Sequence, residues 1–159
     1  MTTNETPSSS SSLVDALRNV VGDRHLITQP DKQAPYCTGF RFGSGSAIAV
    51  LKPGTLLELW QALRHCVEHD VIVVMQAANT GLTGGSTPNG DDYDRDVVVI
   101  NTMRIDAIQI IAEGRQIIGL AGSTLFGLEK TLEPYGREPH SVIGSSCIGA
   151  SIVGGICNN

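Results

Sequence analysis

The run Val71-Ile72-Val73-Val74-Met75 sets the first limit on what this chain can fold into. It is β-branched, holds no polar residue, and reads as a strand covered on both faces, the pattern of a parallel sheet. A parallel neighbour needs a crossover of a dozen or more residues, and the preceding segment supplies one. Residues 47–51 form a short apolar strand halted by Pro53. Thr55 and Glu58 then make a T-x-x-E capping box, and Leu56, Leu57, Leu59, Trp60, Leu63 and Val67 lay a wide apolar stripe along a helix. Residues 47–75 therefore read as β-α-β.

Around this unit the pattern gives further elements. Apolar positions 13, 14, 16, 17, 20 and 21 have a helical period, with Ser12 as cap and Gly22 as stop. Before them, residues 1–12 hold one apolar side chain and end in five serines, and read as a disordered tail. The passage from Thr28 to Ser46 reads as a polar connection, with Gly43-x-Gly45 as a turn. Val97–Asn101 is a second buried strand. Residues 108–112 and 116–121 pair as a hairpin around Glu113-Gly114. Residues 124–135 form a helix between a Thr124 cap and Gly136. The segment 139–159 carries four Gly, four Ser and no charged side chain, with Ile and Val still to bury, so the domain reads as cut short. The expected division is a tail at 1–12, a first α+β lobe at 13–101 and the start of a second lobe at 102–159.

Charge and cysteine usage exclude several functions. Eleven Lys+Arg against sixteen Asp+Glu give a net charge of −5 with no basic stripe, which argues against a nucleic-acid partner. No stretch of 18 apolar residues occurs, so nothing reads as a membrane span. A basic start followed by an apolar stretch, as in a secretory signal, is absent too, and the expected location is cytoplasmic. Cys37, Cys66, Cys147 and Cys157 show no C-x-x-C pair and no zinc spacing; they read as buried, reduced thiols. His65 and His69 lie one helical turn apart without a third ligand and read as surface residues, so no metal site is expected.

The chemistry is carried by residues 76–90, Gln-Ala-Ala-Asn-Thr-Gly-Leu-Thr-Gly-Gly-Ser-Thr-Pro-Asn-Gly. They follow a strand directly and include no charged side chain. Glycine and alanine let backbone N–H groups crowd round an anion, and Thr80, Thr83, Ser86 and Thr87 add hydroxyls. Such a loop holds a diphosphate without lysine. A Walker loop is excluded because no Gly-Lys pair occurs in the chain. A Rossmann fingerprint fails as well, since Gly81-x-x-Gly84-Gly85 has the wrong spacing and Pro88 interrupts any helix. A second Gly/Ser run, 136–155, leads into a short helix starting near Ser151, whose N-terminal N–H groups suit the same anion.

Three segments, 77–90, 92–100 and 136–159, closely resemble the quinone-linked, FAD-dependent D-lactate dehydrogenases of bacteria. Their wider family is the FAD-binding fold of vanillyl-alcohol oxidase and p-cresol methylhydroxylase. The resemblance covers about residues 13–159 and implies an α+β, two-lobed FAD-binding domain of p-cresol methylhydroxylase type, truncated on its C-terminal side. Carried over by position, Ala77, Ala78, Asn79, Thr80, Gly81, Gly85 and Ser86 match the first cofactor loop, and Gly144 and Ser151 the second. Some relatives bond flavin covalently through a His or Cys close to the first loop. None lies within residues 75–90, so the FAD is expected to be non-covalent.

The resemblance further implies oxidation of D-lactate to pyruvate, with removal of the hydroxyl proton, hydride transfer from the α-carbon to flavin N5, and electrons passed to a membrane quinone. It places the substrate cap, the catalytic base and the membrane-contacting region beyond Asn159, with the whole protein peripheral on the cytoplasmic face of the inner membrane. No catalytic residue is therefore nominated here, and this chain alone is expected to be inactive. Two alternatives stay open. One is a non-catalytic module for FAD or a nucleotide diphosphate; the other is a different enzyme on this fold, such as a glycolate oxidase-like 2-hydroxy-acid oxidase or an enolpyruvyl reductase.

Overall fold

A central strand with no polar interior position organises the first lobe. In the computed structural model, which describes residues 9–139 and 149–157, Val97–Asn101 (β4) is buried at every residue. Ala49–Leu51 (β2) pairs parallel to one side of it and Ile72–Gln76 (β3) parallel to the other. Leu26–Ile27 (β1) adds antiparallel to β2, giving the order β1-β2-β4-β3. The expected β-α-β unit is present, with β4 inserted between its two strands.

One expectation about that unit is corrected. The run 71–75 was expected to be covered on both faces, yet β3 is the edge strand, half-buried along most of its length, with Met75 43% exposed. β-branched composition marks a strand, but its place in the sheet depends on which neighbours pair, and here β4 takes the centre. The alternation along β2 and β4 then sorts the two layers. Ala49, Leu51, Val98 and Ile100 face two helices, Ser9–Val21 (α1) and Leu56–Glu68 (α3), through Leu13, Leu17, Ala62 and Cys66. Val50 and Val99 face the other way, onto Cys37 and Tyr36.

Those last two residues belong to a helix that the pattern did not foretell, Pro30–Cys37 (α2). Pro30 occupies its first turn, where a missing N–H costs nothing, while the polar Asp31-Lys32-Gln33 run hides any apolar period. Helix α1 also begins four residues earlier than expected, so residues 9–12 are helical rather than tail, and Ser12 is not its cap. Ser10 Oγ donates to Asp96 Oδ2 at 2.6 Å, tying that first turn to the start of β4. Helix α3 keeps its expected box: Thr55 Oγ1 accepts from Glu58 N–H at 3.1 Å. The Glu58 carboxylate reaches back to Gly54 N–H, one residue before the cap, at 2.7 Å.

The second lobe is small. Ile108–Ile111 (β5) and Gln116–Gly119 (β6) form the antiparallel hairpin expected there. Its turn runs through Ala112, Glu113 and Gly114, all with positive φ, a demand that only the glycine meets freely. Leu125–Leu132 (α4) is capped by Thr124, whose Oγ1 accepts from Gly127 N–H at 3.0 Å. A short 3-10 turn at Glu133–Tyr135 ends it, with Gly136 left-handed. Leu128, Leu132 and Ile152, the last from Ile152–Cys157 (α5), close this lobe's core.

Two thiols, Cys37 and Cys66, are buried as expected, but Cys157 on α5 is exposed, because so short a helix covers only one of its sides. Cys147 lies outside the described residues. His69 turns its Nδ1 to the His65 carbonyl at 2.9 Å, capping α3 instead of presenting a ligand pair.

Candidate cofactor-binding site

Strands β3 and β4 end level with each other, Gln76 opposite Asn101, and the uncharged loop leaves from that point. In open sheets with parallel strands, ligands sit outside the carboxyl ends of the strands, so the position suits a binding loop. Both residues are buried carboxamides, 2% and 4% exposed. Gln76 Nε2 donates to Tyr36 O at 2.8 Å and to Ser86 O at 2.7 Å. Asn101 Nδ2 donates to Gln76 Oε1 at 3.1 Å and to Ala77 O at 2.9 Å. The loop is therefore gripped at both of its ends.

Midway, Asn79 makes the second attachment. Its Nδ2 donates to Thr38 O at 2.8 Å, while its Oδ1 accepts from Ser86 Oγ at 2.9 Å. Asn79 is also left-handed, at φ 55°, a conformation asparagine bears better than most residues. Further along, Gly84 lies at φ 75° with its carbonyl accepting from Thr87 N–H at 3.3 Å. The Gly43-x-Gly45 segment, expected as a turn, is instead extended, with Ser44 bridged antiparallel to Thr38 and Gly45 parallel to Gly90, because the chain reverses just before it, at residues 40–42. It lies beside the loop, where Gly90 N–H donates to Ser44 O at 2.8 Å.

What these attachments leave free is the backbone. Among the described residues, no N–H group from 78 to 86 has a protein acceptor. A Cβ built at Gly81 meets nothing within 4 Å, and one at Gly85 meets only Thr83 Oγ1 at 4.0 Å, so open space stands over both glycines. A row of unpaired amides beside open space, with no side-chain charge, suits an anion such as the diphosphate of FAD. The hydroxyls contribute less than their number implies. Ser86 Oγ donates to Asn79, and the buried Thr87 donates to Gly84 O at 3.3 Å, leaving Thr80 and Thr83 available.

Ala77, Ala78, Asn79, Thr80, Gly81, Gly85 and Ser86 thus share one loop. Gly144 lies outside the described residues. Ser151 is on the second lobe, 5% exposed, and its Oγ accepts from Gly154 N–H at 3.1 Å as the cap of α5. Its hydroxyl is committed to the helix. Gln76, Asn101, Tyr36 and Thr38 complete the site without having been nominated. The available signal was an amide closing each of two apolar strands; the contribution of α2 left no trace. That helix also sets Cys37 beside the loop's anchor at Thr38, but the thiol is 4% exposed and burial pushes its pKa up. It offers no nucleophile.

Residues 47–159 match the family described as FAD binding domain. The chain is 65% identical over 147 residues to the quinone-dependent D-lactate dehydrogenase of Haemophilus influenzae, covering 92% of this chain and 26% of that protein. Its identity to the Escherichia coli enzyme of the same name is 58% over 154 residues, 97% of this chain and 27% of that one. The chain thus spans about a quarter of the length of these relatives. Among solved structures, p-cresol methylhydroxylase with substrate bound superposes with a TM-score of 0.76 at 17% identity, over 96% of this chain and 30% of that one. The match over the greater part of its length, with the superposition, means that the chain belongs to the FAD-binding domain family and has the fold of p-cresol methylhydroxylase.

Proposed function

We propose that this chain is the N-terminal FAD-binding part of a flavin enzyme that oxidises D-lactate to pyruvate and delivers electrons to quinone. The observation that carries the proposal is the row of free amides at 78–86, in a chain 65% identical to an enzyme named for that reaction. When bound, FAD supplies the hydride-accepting and electron-passing chemistry that no protein side chain has. The chain's own residues bind and orient. Amides of 78–86 hold the diphosphate, Asn79 and Ser86 keep the loop folded back on α2, and the buried Gln76–Asn101 pair fixes its two ends. The absence of lysine within 76–90 means that the loop binds through dipoles, so its affinity depends little on ionic strength. The cofactor is non-covalent, with no His or Cys on the loop and Cys37 buried behind it.

Substrate cap, proton acceptor and membrane-contacting surface are assigned to sequence beyond Asn159, with a peripheral position at the membrane. Among the described residues, no helix is long and apolar enough to cross one. A second reading, oxidation of another D-2-hydroxy acid, draws on a more distant likeness. The bovine mitochondrial D-2-hydroxyglutarate dehydrogenase is 37% identical over 87 residues. Continuing the natural reading frame to its stop and expressing the whole product, here called the extended protein, separates the cases. D-lactate-dependent reduction of a quinone analogue, faster than with D-2-hydroxyglutarate and absent for the 159-residue chain alone, supports the proposal. FAD binding without turnover of either acid would return the chain to a binding module.

A further inference from the structure

We propose that Gln76 and Asn101 are positioning residues for the cofactor, an interlocked carboxamide clasp that sets the shape of the 77–86 loop before FAD arrives. The inference rests on the flavin reading above and adds a role for two residues that touch no ligand in it.

The warrant is the completeness of the network. A buried amide is costly unless its hydrogen bonds are made, and a role in packing alone would be served by an apolar side chain of like volume. Here both hydrogens of Gln76 Nε2 are used, on Tyr36 O and Ser86 O. Both hydrogens of Asn101 Nδ2 are used as well, on Gln76 Oε1 and Ala77 O. Asn101 Oδ1 accepts from Met103 N–H at 3.2 Å. The partners are the carbonyls at the two ends of the loop and in the last turn of α2, together with the Met103 N–H just after β4, which donates. Four pieces of backbone are thereby fixed relative to one another by two side chains. Between the fixed ends the amides of 78–86 have no protein acceptor among the described residues; the Gly84–Thr87 turn and the Asn79 bonds fold that segment locally, and the clasp sets where its two ends stand on the sheet. A binding loop ordered in advance spares the cost of ordering it at binding, which is where such a clasp raises affinity.

Gln76→Glu is the discriminating change. It conserves size, removes both donors, and sets carboxylate oxygens against the Tyr36 and Ser86 carbonyls. In the extended protein at pH 8, FAD titration of the folded fraction is expected to give a dissociation constant raised at least roughly tenfold. Burial raises the pKa of such a Glu, so protonation near pH 5.5 restores one donor and narrows the gap to wild type. A clasp that merely stabilises the fold would lower the melting temperature but leave the two dissociation constants equal at both pH values, and that result overturns the proposal. A ligand-free arm separates failure of the clasp from failure of the flavin reading. In the 159-residue chain, 15N order parameters at 78–86 are expected to fall from about 0.85 towards 0.6 in the variant while those of β4 hold. Unchanged loop order parameters overturn the clasp whether or not FAD binds, whereas a wild-type protein that takes up no FAD overturns only the flavin reading. Should Gln76→Glu not fold, Asn101→Ser, which removes the donation to Ala77 O from the opposite side and does not titrate, is expected to raise the dissociation constant alike at both pH values and to lower the loop order parameters; wild-type values of both overturn the clasp.

Discussion

Adjacent glycines at 84 and 85 should respond to substitution in opposite ways. Gly84 lies at φ 75°, where an L side chain is strained, and a Cβ there would stand 3.2 Å from Phe42 O. Gly84→Ala should therefore cost about 1–2 kcal/mol of stability from the left-handed conformation alone, with the Phe42 contact adding to it. Gly85 lies outside the left-handed region, and its Cβ would point into open space with Thr83 Oγ1 at 4.0 Å as nearest neighbour. Gly85→Val should leave the apo-protein's stability within about 0.5 kcal/mol of wild type, as befits an exposed site without a special conformation. Its branched side chain nevertheless fills the room over the free amides. FAD affinity should fall at least roughly tenfold, equivalent to about 1.4 kcal/mol. Urea unfolding of both apo-variants, followed by FAD titration of the extended protein, separates the two effects. Wild-type affinity in Gly85→Val would mean that the loop is only a surface connection.

Other consequences are readily checked. Acid precipitation of the FAD-loaded extended protein should leave yellow flavin in the supernatant, because the loop offers no nucleophile; flavin retained in the pellet would contradict this. Burial pushes the Cys66 thiol up to about 11, so only about a thousandth of it is ionised at pH 8, and native iodoacetamide should label exposed Cys157 and spare Cys66 until urea unfolds the chain. Equal labelling of the two by mass spectrometry would refute that packing. Thr55→Ala removes the cap on Glu58 N–H and should destabilise the fold by about 1 kcal/mol in urea melts without changing flavin affinity. Leu17→Ala empties a fully buried position between α1 and the sheet and should cost about 2–5 kcal/mol by the same assay.

Local signals carried much of this architecture. The β-branched run at Val97–Asn101, the Thr55–Glu58 box and the Thr124 cap each have a short-range physical cause, and each element forms where that cause lies. That 76–90 leaves its strand as an uncharged loop with uncovered backbone was legible too, because glycine and alanine put little side chain over their own amides. What stayed hidden depends on long-range pairing. Whether 71–75 is central or at the edge is settled by β4, more than twenty residues later in the chain. Helix α2, with Pro35 inside and a polar first turn, has no apolar period to read, yet it supplies the Tyr36 carbonyl and, just past its end, the Thr38 carbonyl that anchor the loop. The demand for left-handed backbone at Gly84 rather than Gly85 follows from a turn geometry that two neighbouring glycines do not distinguish in sequence.

Where the diphosphate binds is the central question for this loop. A crystal structure of the extended protein with FAD measures this directly. Diphosphate oxygens are expected at hydrogen-bonding distance, roughly 2.7–3.2 Å, from backbone nitrogens within 78–86, with the Gln76–Asn101 bond intact beneath them. A diphosphate held elsewhere, with those amides facing only solvent, would contradict that expectation.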